Sequence, residues 1–100
     1  MTLSLDDGKP IFQQIAERIE NDIIEGKIRE GEQVPSTNQF ASFYQINPAT
    51  AAKGINLLVE EGILYKKRGI GMFVSAGAQE QLLEKRRQQF FEKYVLGMLR

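Results

Sequence analysis

The chain has no histidine and no cysteine in 100 residues. That removes the usual general base, the thiol nucleophile and most zinc ligands. The residues with chemical potential fall instead into three short clusters of small polar and basic side chains. The first is Ser36-Thr37-Asn38, directly after Pro35. The second is Asn47-Pro48-Ala49-Thr50 with Lys53 one turn further on, and the third is Arg68-Gly69-Ile70-Gly71. Serine, threonine and asparagine both donate and accept hydrogen bonds, and an alanine can meet a thymine methyl, so such groups can read base edges. Lysine and arginine can neutralise phosphate. The adjacent carboxylates, Asp6-Asp7 and Glu60-Glu61, lie in an unpatterned terminus and at a helix end, where solvated charge is the plain reading. Catalysis is not expected, and neither is a metal or a cofactor.

Elements must hold these clusters in place. Pro10 suits the first position of a helix running to about Glu25, because its missing donor costs nothing there. Within it Ile11, Ile15, Ile19 and Ile23 recur every four residues and, with Phe12 and Ile24, make one apolar stripe. Gly26 is the expected stop, and Gln33-Val34 reads as a short strand. Ser36 and Gln39 have capping-box spacing, which starts a second helix running to about Phe43. Tyr44-Gln45-Ile46 is a tight connection, and Asn47-Pro48 pairs an N-cap with proline at the first helical position. A third helix follows to about Glu61, with Ala51, Ile55, Leu58 and Val59 facing inward. Gly54 inside it costs about 1 kcal/mol relative to alanine, which points to close approach of another helix.

Residues 63–67 and 72–74 are strand-like around a turn at Arg68–Gly71, so a hairpin follows. Glycines at 69 and 71 let that turn lie close to a ligand, with Arg68 reaching outward. Lys66 and Lys67 point to opposite faces of their strand. The last stretch, about Gln79 to Leu99, reads as one long helix whose apolar stripe includes Leu83, Phe90, Phe91, Tyr94, Val95 and Met98, interrupted by Arg86 and Arg87. The fold class is mainly α with a small β-hairpin: a winged helix-turn-helix over residues 1–75, then a C-terminal helical dimerisation segment over 76–100. The winged-helix core is expected to close by Val74, leaving Phe90, Phe91, Tyr94, Val95 and Met98 to pair with a second copy. Arg86 and Arg87 would lie at the rim of that contact or near phosphates. The helix reaches Arg100 with no stop signal, which suggests that the segment continues.

Taken in order, Pro35-Ser36, Phe40-Ala41, Ile46-Asn47-Pro48-Ala49-Thr50, Leu58-Val59-Glu60-Glu61-Gly62-Ile63-Leu64 and Arg68-Gly69-Ile70-Gly71-Met72-Phe73-Val74 resemble the GntR family of bacterial regulators. The asparagine-proline start of the third helix, with a short helical C-terminus, resembles the YtrA subgroup. The resemblance covers about residues 9–75. It implies a homodimeric, sequence-specific DNA-binding regulator, a repressor, acting on a palindromic operator. Two departures bear on base preference. Many family members carry arginine where this chain has Asn38. Members outside the subgroup often carry arginines where it has Pro48 and Ala52. Base preference therefore cannot be copied from arginine-rich relatives.

The charge balance fits this reading only when divided. The whole chain has 13 basic and 13 acidic residues. Residues 1–35 hold 4 basic and 8 acidic side chains, residues 36–75 hold 4 and 2, and residues 76–100 hold 5 and 3. The alternative is a winged helix that binds protein rather than DNA, which neutrality and the missing arginines favour slightly. The first seven residues lack the basic flank and apolar stretch of a secretory signal, and no apolar run approaches the roughly 20 residues of a membrane span. With no cysteine, the expected location is cytoplasmic, away from membranes. Nothing in the sequence points to an effector.

Overall fold

A computed structural model describes residues 8–96, with side chains as far as Tyr94. The element order is α1 (Ile11–Ile24), α2 (Thr37–Tyr44), α3 (Pro48–Glu60), β1 (Leu64–Lys67), β2 (Gly71–Val74) and α4 (Ala78–Phe91), ending in a π-helical turn at Glu92–Leu96. The four-residue spacing in α1 sends Ile15, Ile19 and Ile23 into the core, each at most 1% exposed. Pro10 stands one place earlier than expected, as the extended N-cap of α1. Against the isoleucine stripe pack Ala51, Ile55 and Leu58 of α3 and Phe40, Ala41 and Tyr44 of α2. Val59, expected to face inward, is only half-buried.

Gly54 is the point of closest approach. A Cβ there would lie 2.6 Å from the Phe12 carbonyl oxygen and 3.0 Å from the Ile15 side chain. The glycine thus weakens α3 locally so that α1 and α3 can pack backbone against side chain.

α2 begins with a complete capping box: Ser36 Oγ accepts from Gln39 N–H at 3.1 Å, and Gln39 Oε1 accepts from Ser36 N–H at 3.0 Å. It ends at Gln45, which adopts the left-handed conformation (φ 56°, ψ 48°). Glycine or asparagine is the usual residue there, so a glutamine does not announce the turn. This cap turns the chain within three residues, and Asn47 then opens α3, its Oδ1 accepting from Ala49 N–H at 2.8 Å.

The hairpin pairs β1 and β2 antiparallel, with Leu64 opposite Val74 and Lys67 opposite Gly71. The segment before α2 lies along the other edge of β2. Gly31 N–H donates to Val74 O, Val74 N–H to Glu32 O, and Val34 N–H to Met72 O. The strand expected at Gln33-Val34 is therefore present, as a short bridged segment centred on the Gln33–Phe73 pair.

The core does not close at Val74 as the sequence suggested. Ala78 and Leu82 of α4 are fully buried within it, so the first turns of α4 belong to the same packed unit. Leu82 is the inward residue, whereas Leu83, assigned to the apolar stripe, is 44% exposed. The two are adjacent in sequence, and only the direction in which α4 leaves the hairpin decides between them. Among the described residues no helix is long and apolar enough to cross a membrane.

Candidate nucleic-acid interface

The three clusters sit on three positioned elements. Ser36 is spent as a cap through its oxygen, yet its hydroxyl hydrogen remains available. The Thr37 and Asn38 amides stand in the first turn of α2, where backbone N–H groups lack intrahelical acceptors. Such an end favours an anion such as phosphate. Asn38 is exposed and Thr37 half-buried. In α3, Asn47 uses its carbonyl oxygen as the cap but keeps both amide hydrogens free to donate. Pro48 and Ala49 are exposed and Thr50 half-buried beside them. Capping and base recognition are thus compatible at Asn47. Lys53 is exposed, with its ammonium 4.2 Å from the centre of the Phe12 ring. That contact sets its resting position over the α1 side of α3.

At the wing, Ile70 N–H donates to Lys67 O at 3.0 Å and closes the turn around Arg68 and Gly69. Gly69 has φ +77° and Gly71 has φ +147°, conformations that suit glycine. Arg68, Gly69 and Ile70 are exposed, and Ile70 offers 63% of its surface. Lys66 and Lys67 are both exposed on β1. Lys67 leans over Phe73, 4.7 Å from the ring centre, on the face where Phe73 stacks on Tyr65 at 5.8 Å.

The β2 edge brings two clusters together, because Val34, two residues before Ser36, pairs with Met72, one residue past the turn. The wing tip and the start of α2 are thereby held to each other. The start of α3 is held separately through the helix-turn-helix corner, where Ile46 N–H donates to Ala41 O at 3.0 Å. Sequence reasoning missed Gln33, whose side chain donates to Ile70 O at 3.0 Å across 37 residues of chain; nothing local marks it.

The ion pairs show where the charge of this neutral chain is matched and where it is not. Lys9 pairs with Glu17, Arg18 with Asp22, Lys27 with Glu25, Lys85 with Glu20 and Glu61, Arg86 with Glu20, and Arg87 with Glu84. Those pairs lie on α1 and its flanking turns, on α4 and, through Glu61, at the C-cap of α3. Among the described residues Lys53, Lys66, Lys67 and Arg68 have no carboxylate within ion-pair distance. Much of the charge is thus cancelled on the side formed by α1 and α4, whereas the cations of α3 and the wing have no carboxylate partner among those residues.

The cancelled side corrects one expectation. Arg86 was assigned to a rim or to phosphate, but its guanidinium donates to Asn21 Oδ1 at 2.7 Å and to Glu20 at 3.4 Å. Glu20 is only 4% exposed, and a buried carboxylate is stable only when paired. It recruits Lys85 at 2.8 Å as well. Partial burial opposes the Lys85 charge, but its hydrogen bonds to Glu20 and Glu61 and their attraction outweigh it, holding its pKa above the usual lysine value. A folded-state pKa above the unfolded one means that the Lys85 contribution is complete below the ordinary lysine range. It is lost as pH rises through the raised value. We expect urea unfolding to show the stability advantage of the wild type over Lys85→Met constant from pH 6 to 9 and shrinking above about 10.4. An advantage unchanged at pH 11.5 would contradict this placement. Replacing Lys85 and Arg86 together by methionine would strand Glu20, at a cost of about 3 kcal/mol.

Residues 11–74 match the family described as "Bacterial regulatory proteins, gntR family". The chain is 32% identical over 75 residues to the transcriptional repressor YtrA of Bacillus subtilis, covering 75% of this chain and 58% of YtrA. It spans about a third of several other curated relatives. A solved GntR-family transcriptional regulator from Listeria monocytogenes superposes with TM-score 0.84 at 30% identity, over 94% of this chain and 84% of that one. The DNA-binding domain of AraR, solved in complex with the operator ORX1, superposes with TM-score 0.67 at 30% identity, over 75% of this chain and 99% of that domain. These relatives are regulators rather than enzymes. The chain belongs to the GntR family of bacterial regulatory proteins and is YtrA-like within it.

Proposed function

We propose that the chain is a cytoplasmic, sequence-selective regulator of transcription, a repressor that binds double-stranded DNA as a homodimer on a palindromic operator. The observation that carries this reading is that Lys53 of α3 and Lys66, Lys67 and Arg68 of the wing have no carboxylate within ion-pair distance among the described residues, while the start of α2, tied to the wing through Val34 and Met72, offers free backbone amides. In this reading the start of α3 enters the major groove, where Asn47, Ala49 and Thr50 meet base edges beside Pro48. Ser36, Thr37 and Asn38 hold one phosphate and Lys53 another. Arg68, with Gly69, Ile70 and Gly71, reaches the minor groove or its phosphates. The operator-bound structure of the AraR domain supports the same use of this fold.

The dimer is assigned to the end of α4. Phe90, Phe91 and Tyr94 are 62%, 52% and 49% exposed, an apolar group that a soluble monomer would avoid. The Val95 side chain and Met98, placed in the same stripe, lie outside the described residues. A two-fold axis through this helix would present both α3 helices to a palindrome.

Paired substitutions test the assignment. Lys53→Ala and Arg68→Ala are each expected to weaken binding by a similar factor on every duplex and to flatten the salt dependence by about one charge. Asn47→Ala and Thr50→Ala are expected instead to relax preference at particular base pairs, by roughly 1–3 kcal/mol for a good contact. Asn47→Ala needs a parallel melting curve, since losing the cap costs about 1 kcal/mol by itself. Affinity that does not respond to salt would overturn the DNA reading in favour of a protein-binding module.

A further inference from the structure

Gln33 stands where the wing tip and the approach to α2 meet. Its backbone bridges to Phe73, and its side-chain amide donates to the Ile70 carbonyl at 3.0 Å. A Cβ on Gly71 would collide with that same amide nitrogen, so the side chain lies directly against the tip. Ile70 is thereby tied twice. Its N–H closes the turn onto Lys67, and its carbonyl is anchored to a residue three places before the Ser36 cap. The glycines that let the turn form would otherwise leave it loose, because glycine loses the most conformational freedom on ordering.

We infer that Gln33 is a positioning residue for DNA binding: a strut that fixes the wing tip, and with it Arg68, relative to the N-terminus of α2. This rests on the DNA-binding reading above. Two phosphate-binding groups joined by a rigid strut bind as one preorganised unit. Joined by a mobile turn, they must be ordered at the moment of binding. Gln33 is exposed and contributes nothing to the core, so its removal should leave the fold intact. Glycine at 71 suits the φ of +147° there, and any Cβ at that position would push the glutamine amide away from the tip.

Gln33→Met keeps the length of the side chain and removes the donor, and Gln33→Glu replaces the donor with a carboxylate that repels the Ile70 carbonyl. In the free protein, amide exchange at Ile70 is expected to quicken about three- to tenfold in both variants, as loss of one hydrogen bond implies. Amides in α1 and α3 should quicken by no more than this factor, and the melting temperature should fall by no more than roughly 4–8 °C, with a single cooperative transition retained. Exchange at Ile70 that matches the wild type would overturn the strut, whatever the protein binds. On a duplex bound by the wild type, Gln33→Met is expected to weaken affinity by a similar factor. Arg68→Ala should then cost less in the Gln33→Met background than in the wild type, because a released tip no longer delivers the arginine. An Arg68→Ala effect of equal size in both backgrounds would refute positioning through the tip. A wild type that binds no duplex would refute the DNA reading while leaving the exchange result to decide the strut.

Discussion

Removing residues 89–100 is expected to leave a folded monomer that binds a full palindrome at least a hundredfold more weakly. The cut retains Ala78 and Leu82, which are fully buried, and Lys85 and Arg86, which close over Glu20. The winged-helix unit therefore keeps its core and its ion pairs. What is lost is Phe90, Phe91 and Tyr94, the exposed apolar end of α4. Without it each half-site is engaged separately, and the gain from joint binding, on the order of 10²–10⁴, disappears. Affinity for a single half-site should be nearly unchanged, which separates lost assembly from lost recognition. A truncated protein that remains dimeric in sedimentation would move the interface elsewhere. Cutting at Ala76 would be a poorer experiment, since it would strip Leu82 from the core and unfold the domain.

The second large effect is expected at Gly54. Helix propensity alone says that Gly54→Ala should stabilise α3 by about 1 kcal/mol. The packing says the reverse. A methyl group would sit 2.6 Å from the Phe12 carbonyl oxygen, a backbone atom, and 3.0 Å from Ile15 Cβ. Neither can move without shifting α1, the helix that supplies Ile15, Ile19 and Ile23 to the core. We expect Gly54→Ala to cost about 2 kcal/mol net, lowering the melting temperature by roughly 8–16 °C for a domain of this size. Gly54→Val, bulkier and β-branched, is expected to leave no cooperative transition at 37 °C. A higher melting temperature for Gly54→Ala would show that α1 and α3 do not approach as closely as described.

These two sites also show what the sequence could reveal. Gly54 was legible because a glycine inside an otherwise regular helix needs a reason, and close packing is the usual one. The helix starts were legible for a similar reason: Ser36 with Gln39, and Asn47 with Pro48, are local devices whose partners lie within three residues. The left-handed turn at Gln45 was not, because glutamine carries no preference for it; the fixed positions of α2 and α3 impose the conformation. The ties that were missed are long-range. Glu20 meets Lys85 and Arg86 across 65 and 66 residues, and Gln33 meets Ile70 across 37. No periodicity or spacing reports such contacts. For the same reason the extension of the core into α4, and the choice of Leu82 over Leu83, emerged only with the fold. The π-helical turn at Glu92–Leu96 left no mark on the residue pattern either.

The neutral net charge, which favoured a protein-binding module, hides an uneven pairing set up by the same long-range contacts. The carboxylates of α1 are matched to Lys9 and to cations of α1 and α4, whereas Lys53 of α3 and the cations of the wing are left without a carboxylate partner among the described residues. Composition averages over that arrangement.

The central claim is selective binding of duplex DNA through α3, α2 and the wing. Selection from a pool of random duplexes at moderate salt tests it most directly. The account predicts enrichment of a palindromic motif with half-sites about one helical turn apart, centre to centre, bound at sub-micromolar affinity and weakened steeply by added salt. A pool that enriches no motif after repeated rounds, with the folded dimer present, would contradict it.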